Sequence, residues 1–374
     1  MSERSTETVA EVRIRVNGRG NAWPLELGST DRRAPEIAGD LAEYANTSMS
    51  VVGLAGGENS GSLWEVLFDV GQGVVPFLIR EGARLPDALI LSHPHFDHTC
   101  GLDWLVNSHR HAQTRAGTTR KLPVYASEPC WQVVSRTFPW LLEWLEFRAL
   151  HPGVTRSLDE AGGLRVTAFP VGHAEHSPGS IMALLEYGER DKAVLTGDVI
   201  VPLLRRCDVD RLRGTRLVIA DSTVRFPWPG CGHWSVTASD PAGGPADALE
   251  VWRLGKDARY YVDWYLGVAR RRAGTMPAVA TDIAAPDAYL DEFVAEFDGG
   301  GDACWSVIDL VARIDARSAA LVHYSGRGDD RRYGEPVLTD AELHAWVSAT
   351  AAARASASWH VPRPGDSFEL WRSS

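Results

Sequence analysis

Apolar and polar positions along the chain fall into short runs that read as strands, several of which stop at a metal-binding type of side chain. "EVRIRV" (11–16) alternates with period two, as an edge strand does, and "SMSVVGL" and "LWEVLFDVG" follow as further strands. "DALILSH" is a β-rich run ending at His93, and "LRVTAFPVGH" ends in the same way at His173. "IMALLEYGERDKAVLTGD" reads as a hairpin around a glycine-containing turn, its second strand reaching Asp198. "TRLVIADS" runs into Asp221 and "SAALVHYSG" into His323. A single strand ending in a polar residue means little, but five such junctions predict strand ends converging on one rim of a sheet, where rigid elements can hold a site.

Helical spacing lies between these runs. It covers "GLDWLVNSHRHA", "EPCWQVVSRTFPWLLEWLEFRAL" (interrupted at Pro139), "DAYLDEFVAEF" and "CWSVIDLVARI". Trp131, Trp140 and Trp144 in the second stretch are expected in the core. "SDPAGGPAD" (239–247) is the clearest linker signal, and it opens a segment over about 240–303 that reads as a helical insertion or lid in an otherwise single domain spanning 1–374.

Composition narrows the class. The chain has 374 residues, and its 44% hydrophobic and 23% charged content is that of a globular protein. A net charge of −11 offers no general basic surface to a nucleic acid, and "RLRGTR" (211–216) and "ARRRAG" (269–274) read as solvated faces. Cys100, Cys130, Cys207, Cys231 and Cys304 are scattered, odd in number and without CxxC spacing, which suits free thiols in a reducing compartment. Cys100 reads as a small buried residue. The amino terminus lacks an apolar signal-like core and no long apolar stretch occurs, so a cytoplasmic protein without a membrane anchor is expected.

The densest chemistry is "LSHPHFDHTCG" (91–101), with His93, His95, Asp97 and His98 inside six positions. In extended chain, i and i+2 point the same way, so His93 and His95 can grip one ion. A helix starting near Asp97 would swing Asp97 and His98 toward a neighbouring position. Imidazole with carboxylate suits Zn²⁺, with Mn²⁺ or Fe as alternatives. No Ser-His-Asp arrangement or phosphate-binding GxxxxGK[ST] loop competes with it. His109 and His111, after the first helix, read as solvated.

His93-Pro-His95-Phe-Asp97-His98 resembles the HxHxDH signature of the metallo-β-lactamase superfamily, and the later order of His173, Asp198 ("LTGD") and His323 ("LVHYSG") matches it as well. "LFDVGQG" resembles that family's strand and turn with a structural aspartate, here Asp69. The resemblance implies an α/β (α+β) four-layer αββα sandwich holding two divalent metal ions. By motif position His93, His95 and His173 would hold one ion, Asp97, His98 and His323 the other, and Asp198 would bridge them. It further implies hydrolysis by a hydroxide held between the two cations, without a side-chain nucleophile.

"GRGNAWP" (18–24), "NTSMSV" (46–51), "IADST" (219–223) and "GHWS" (232–235) look like elements of the ribonuclease Z-like and cyclic-phosphodiesterase-like branch. In that branch an acidic residue and a histidine protonate the leaving oxygen; here they would be Asp221 and His233, the alternative for His233 being a surface histidine beside a Pro/Gly-rich turn. Asp97, Asp221 and His233 are thus the expected catalytic side chains. The chain departs from the branch in having Asp for Glu in the acidic element, in "GHWS" itself, and in lacking a basic Gly/Pro-rich arm for tRNA. A small or cyclic phosphodiester is therefore the expected substrate. A lactone or thioester carbonyl, or ribonuclease Z-like RNA processing, is the alternative. Nucleic acid is disfavoured as a partner, no membrane partner is expected, and a homodimer is compatible with the sequence. His176, in "HAEHSPGS", faces the substrate or caps a turn. Trp228 and Trp234 flank His233 and could line a pocket.

Overall fold

The computed structural model describes residues 8–21, 40, 42–56, 61–174, 176–189, 191–227, 233–238, 257–268, 288–298, 304–324 and 338–373. Six strands come first: β1 (Val9–Gly18), β2 (Ser48–Ala55), β3 (Ser62–Phe68), β4 (Ala88–Ile90), β5 (Leu122–Ala126) and β6 (Leu145–Ala149). Next are β7 (Thr155–Ser157), β8 (Arg165–Gly172), β9 (Ile181–Tyr187), β10 (Asp191–Leu195) and β11 (Val201–Pro202). The last four are β12 (Leu217–Asp221), β13 (Ser318–Val322), β14 (Ser358–His360) and β15 (Ser367–Arg372). They form two sheets, ordered β15-β1-β2-β3-β4-β5-β6 and β11-β8-β9-β10-β12-β13-β14, with β7 added alongside β8.

Period-two alternation builds the layers. On β3, Val66 and Phe68 point into the core shared with the second sheet, while Leu67 joins Leu89 and Val124 beneath the helices Val74–Arg80, Leu102–Arg115 and Glu128–Thr137. Helices Arg206–Leu212, Val307–Arg313 and Asp340–Ala351 pack Leu212, Val311 and Leu343 into the larger core on the other side. The result is the four-layer αββα sandwich. β8, β9 and β12 are buried almost throughout, which explains their near-continuous apolar sequences.

The topology also explains the five junctions. β10, β12 and β13 run parallel, and β8 shares their direction because β9 is antiparallel to both β8 and β10. Their carboxyl ends therefore lie along one edge, the usual place for a site in such sheets. At that edge the amide of Ile181 donates to the carbonyl of Ser92 (2.9 Å), tying the second sheet to the loop after β4.

Several local expectations are corrected. β1 is not an edge strand, because β15 pairs along its outer side. "LEFRA" is β6 rather than the end of a helix: after a 3₁₀ turn at Pro139–Trp144 it pairs in parallel with β5. That turn carries Trp140 outward, 61% exposed, while Trp131 and Trp144 pack against the helix-side core. His109 is buried rather than solvated, and its Nε2–H donates to the carbonyl of Arg120 (2.7 Å). Cys100 is partly exposed; Cys130 and Cys304 are buried, and every cysteine among the described residues is free. The arginines of 211–216 are balanced by Glu186, Asp210 and Glu369, so that stretch is no open basic patch. Of the 240–303 segment, helix Ala258–Tyr265 packs against β8, and helix Ala288–Asp298 follows it. The 239–247 linker, the 269–274 arginines, Trp228 and Cys231 lie outside the described residues. Among the described residues no helix is long and apolar enough to cross a membrane.

Gly71, just after β3, passes beneath the Asp97 backbone so closely that a Cβ there would lie 1.7 Å from the Asp97 carbonyl oxygen and 2.6 Å from Cβ of Asn46. Gly71→Ala is expected to lower stability by about 1–3 kcal/mol or more and to displace Asp97. Urea denaturation together with metal content would check this, and wild-type values for both would contradict it.

Candidate metal and catalytic site

The site begins with Asp69 at the end of β3, one of three non-glycine residues with positive φ among those described (58°). This left-handed turn points its buried carboxylate under the loop after β4. Asp69 accepts hydrogen bonds from the Ser92 amide (2.7 Å), the Ser92 hydroxyl (2.5 Å) and Nδ1–H of His98 (2.8 Å). A hydroxyl has only one proton, and that of Ser92 goes to the carboxylate. Its oxygen therefore accepts from Nδ1–H of His93 (2.9 Å). Both histidines thus present Nε2 inward.

All seven side chains of the expected ligand set meet in this interior. Asp198 is the hub, carried at the end of β10 behind Gly197, whose φ of +58° brings it against Ser92. Its Oδ2 lies 3.6 Å from Nε2 of His93 and 3.7 Å from Nε2 of His173, which in turn is 3.2 Å from Nδ1 of His95. Its Oδ1 lies 3.3 Å from Nε2 of His98 and 3.4 Å from Nε2 of His323. Asp97 completes the second group, 3.4 Å from His98 and 3.5 Å from His323. One carboxylate therefore turns each oxygen to a separate group: His93, His95 and His173 on one side, and Asp97, His98 and His323 on the other.

The electrostatics suit cations. Burial pushes His93 and His173 well below the ordinary imidazole range and His95 down to about 4, so all three are neutral donors. Burial opposes charge on His98 too, but Asp198, Asp97 and Asp69 together outweigh it and raise its pKa well above normal. Burial also raises the carboxyl of Asp97, and His98 with His323 outweighs this and holds it well below normal. Nε2 of His93, His98 and His323 and Oδ1 of Asp198 are buried without a hydrogen-bond partner. Inward-facing nitrogens and carboxylate oxygens left unpaired in this way fit a pair of divalent metal ions.

Beside this interior is a second pair. Nδ1 of His233 lies 2.7 Å from Oδ2 of Asp221, and the His233 ring stacks on that of His323 (centroids 5.0 Å, 28°). Asp221 also accepts from the Val199 amide (3.2 Å), the Thr223 amide (3.0 Å) and the Thr223 hydroxyl (2.7 Å). Trp234 is buried, with its indole N–H donating to the Asp221 carbonyl (3.1 Å). His176 lies exposed at the rim with its ring over that of His95 (4.6 Å, 31°).

Two positioning residues escape a reading of the sequence. Ser92 is one. Thr223 is the other: its hydroxyl donates to Asp221, so it accepts from Nδ1–H of His323 (2.7 Å), directing Nε2 of His323 inward. His323 itself has φ 61°, a strained conformation held by these bonds. Thr223→Val removes the acceptor and is expected to weaken metal affinity of the Asp97/His98/His323 group by about 10–100-fold. A zinc-chelator competition titration would read this, and unchanged affinity of both ions would refute it.

The fold and the histidine–aspartate interior define a metallo-β-lactamase-type protein. The family description "Beta-lactamase superfamily domain" matches residues 65–261, more than half of the chain. The chain therefore belongs to this superfamily of hydrolases. Among solved structures it is similar to the metallo-β-lactamase fold protein YhfI from Bacillus subtilis (14% identity, TM-score 0.55, 96% of this chain and 99% of that one). It is also similar to a diphosphatase from the PhnP family (15% identity, TM-score 0.54, 96% and 98%). A long-form ribonuclease Z from yeast matches over 98% of this chain and 42% of its own (12% identity, TM-score 0.51). No curated protein sequence matches the chain.

Proposed function

We propose that the chain is a dinuclear metal-dependent phosphodiesterase acting on a small or cyclic phosphodiester. His93, His95 and His173 would hold one ion, Asp97, His98 and His323 the other, and Asp198 both, with Zn²⁺ the preferred metal. When bound, such a pair supplies Lewis-acid charge for a phosphoryl oxygen and lowers the pKa of a water molecule toward ~7.

The observation that carries the reading is the His233–Asp221 pair beside the ligand set. Asp221 has its oxygens engaged by four donors and holds His233 through Nδ1–H, which orients the imidazole beside the ligand set as a carboxylate orients a general acid. The His233 side chain is 18% exposed, against 2% for Asp198 and His323, so substrate can reach it. A leaving alkoxide needs a proton. The acidic chain favours a small diester over a polymer. Two similar folds belong to a diphosphatase and a ribonuclease, which fits phosphate chemistry.

The test is metal content by mass spectrometry and bis(p-nitrophenyl) phosphate turnover on one sample. About two zinc or manganese ions per chain with turnover supports the reading. Iron without turnover, or hydrolysis of lactones or thioesters alone, overturns it.

A further inference from the structure

We propose that Phe96, Phe138 and Trp140 form an aromatic shelf at the mouth of the site that stacks a planar ring on the organic part of the substrate. This rests on the phosphodiesterase reading and names its substrate class: phosphodiesters whose organic group carries a flat aromatic ring.

Phe96 stands between His95 and Asp97, so its backbone is fixed by two residues of the ligand set. Its ring nevertheless points out, 60% exposed. Exposing a large aromatic ring costs solvation, and doing so one residue from a reactive centre suggests use. Behind it lies the buried ring of Phe138, nearly parallel (centroids 6.3 Å, 18°). Trp140 meets Phe138 edge-on (5.9 Å, 71°) and is 61% exposed. The Trp140 indole N–H donates to Oδ1 of Asp103 (2.8 Å). Its one polar group is thereby satisfied and the ring is held in place, leaving apolar surface open.

The shelf adjoins the His176 rim through His95, the residue before Phe96, whose ring lies against that of His176 (4.6 Å). Helix Glu128–Thr137, which leads into Phe138, is capped by Ser127, whose hydroxyl donates to the carbonyl of Gly179 in the loop bearing His176 (2.5 Å). The Gly179 amide donates to the carbonyl of Tyr265 (2.7 Å), so helix Ala258–Tyr265 fixes that loop in turn. A substrate with its phosphate at the histidine–aspartate groups would have its ring within reach of Phe96. Stacking on aromatic side chains tolerates any flat ring and is worth about one decade or more in affinity.

The experiment is calorimetry of the zinc-loaded full chain with phenylphosphonate and methylphosphonate, which share the same charged head. Phenylphosphonate is expected to bind about tenfold more tightly. Phe96→Ala and Trp140→Ala should each bring that ratio toward one, with methylphosphonate affinity and zinc content unchanged. A wild-type chain without phenyl preference overturns the shelf, whether both ligands bind alike or neither binds. Variants that keep the preference also overturn it. So does sedimentation showing that they merely split a dimer, which would make this face a contact between two copies. Bis(p-nitrophenyl) phosphate turnover is read separately. Phenyl preference without turnover keeps the shelf and sinks the phosphodiesterase reading, while turnover without preference does the reverse.

Discussion

Asp198→Ala is expected to empty both metal positions at once and abolish turnover with them. Its two oxygens divide the ligand set, Oδ2 facing His93 and His173 and Oδ1 facing His98 and His323. Two cations held this close repel each other, and a shared carboxylate offsets that repulsion for both. Deleting it leaves each group short of a ligand and of negative charge. His323→Ala, by contrast, touches only one group and should leave the His93/His95/His173 ion in place. Loss of fold has to be tested separately, because Asp198 helps keep the buried His98 charged and its removal leaves that charge with fewer partners. Mass spectrometry should find about two ions in the wild type and close to none in Asp198→Ala, with matching circular dichroism of the two metal-free proteins. A variant that keeps one full ion would show that Asp198 serves a single position.

Much of this site is legible in the sequence because ligands sit where strand patterns end. The run before His93, "DALIL", is read as a short continuous apolar stretch, and the parallel order of β10, β12 and β13 then brings distant junctions together. Asp69 is legible from "LFDVGQG", since it follows β3 directly. Ser92 and Thr223 are not. A hydroxyl gains its role only from partners, and those of Thr223 are Asp221, two residues away, and His323, a hundred residues away. β6 was hidden for a different reason: Leu145 and Phe147 continue the apolar spacing of the preceding helix, and only pairing with β5 makes them strand. His109 likewise depends on the chain after its helix folding back, so that Arg120 can supply a carbonyl. Trp140 shows the limit from the other side. Its apolar ring suggests the core, and a single 3₁₀ turn sends it to the surface.

His233→Ala should separate proton transfer from metal binding. The histidine is held by Asp221 at 2.7 Å, while its Nδ1 stands 3.9 Å from Asp198, so removing it takes away a proton donor and leaves the Asp198-centred groups whole. On a substrate whose leaving group is a strongly basic alkoxide, turnover is expected to fall roughly 10²–10⁴-fold with zinc content unchanged. On bis(p-nitrophenyl) phosphate the defect should be much smaller, because p-nitrophenolate is weakly basic and departs without a proton. This dependence on the leaving group is what a general acid predicts and a structural role does not. The competing possibility is specific, since Asp221, His233 and His323 also bring three ligand atoms within 4.8 Å of one another. If His233→Ala loses an ion, or is impaired equally on good and poor leaving groups, His233 belongs to the metal-binding set and the proton must come from elsewhere. Asp221→Asn refines the comparison. It keeps the size of the side chain but weakens its hold on His233, so it should reproduce part of the same leaving-group dependence while the Thr223–His323 contact persists.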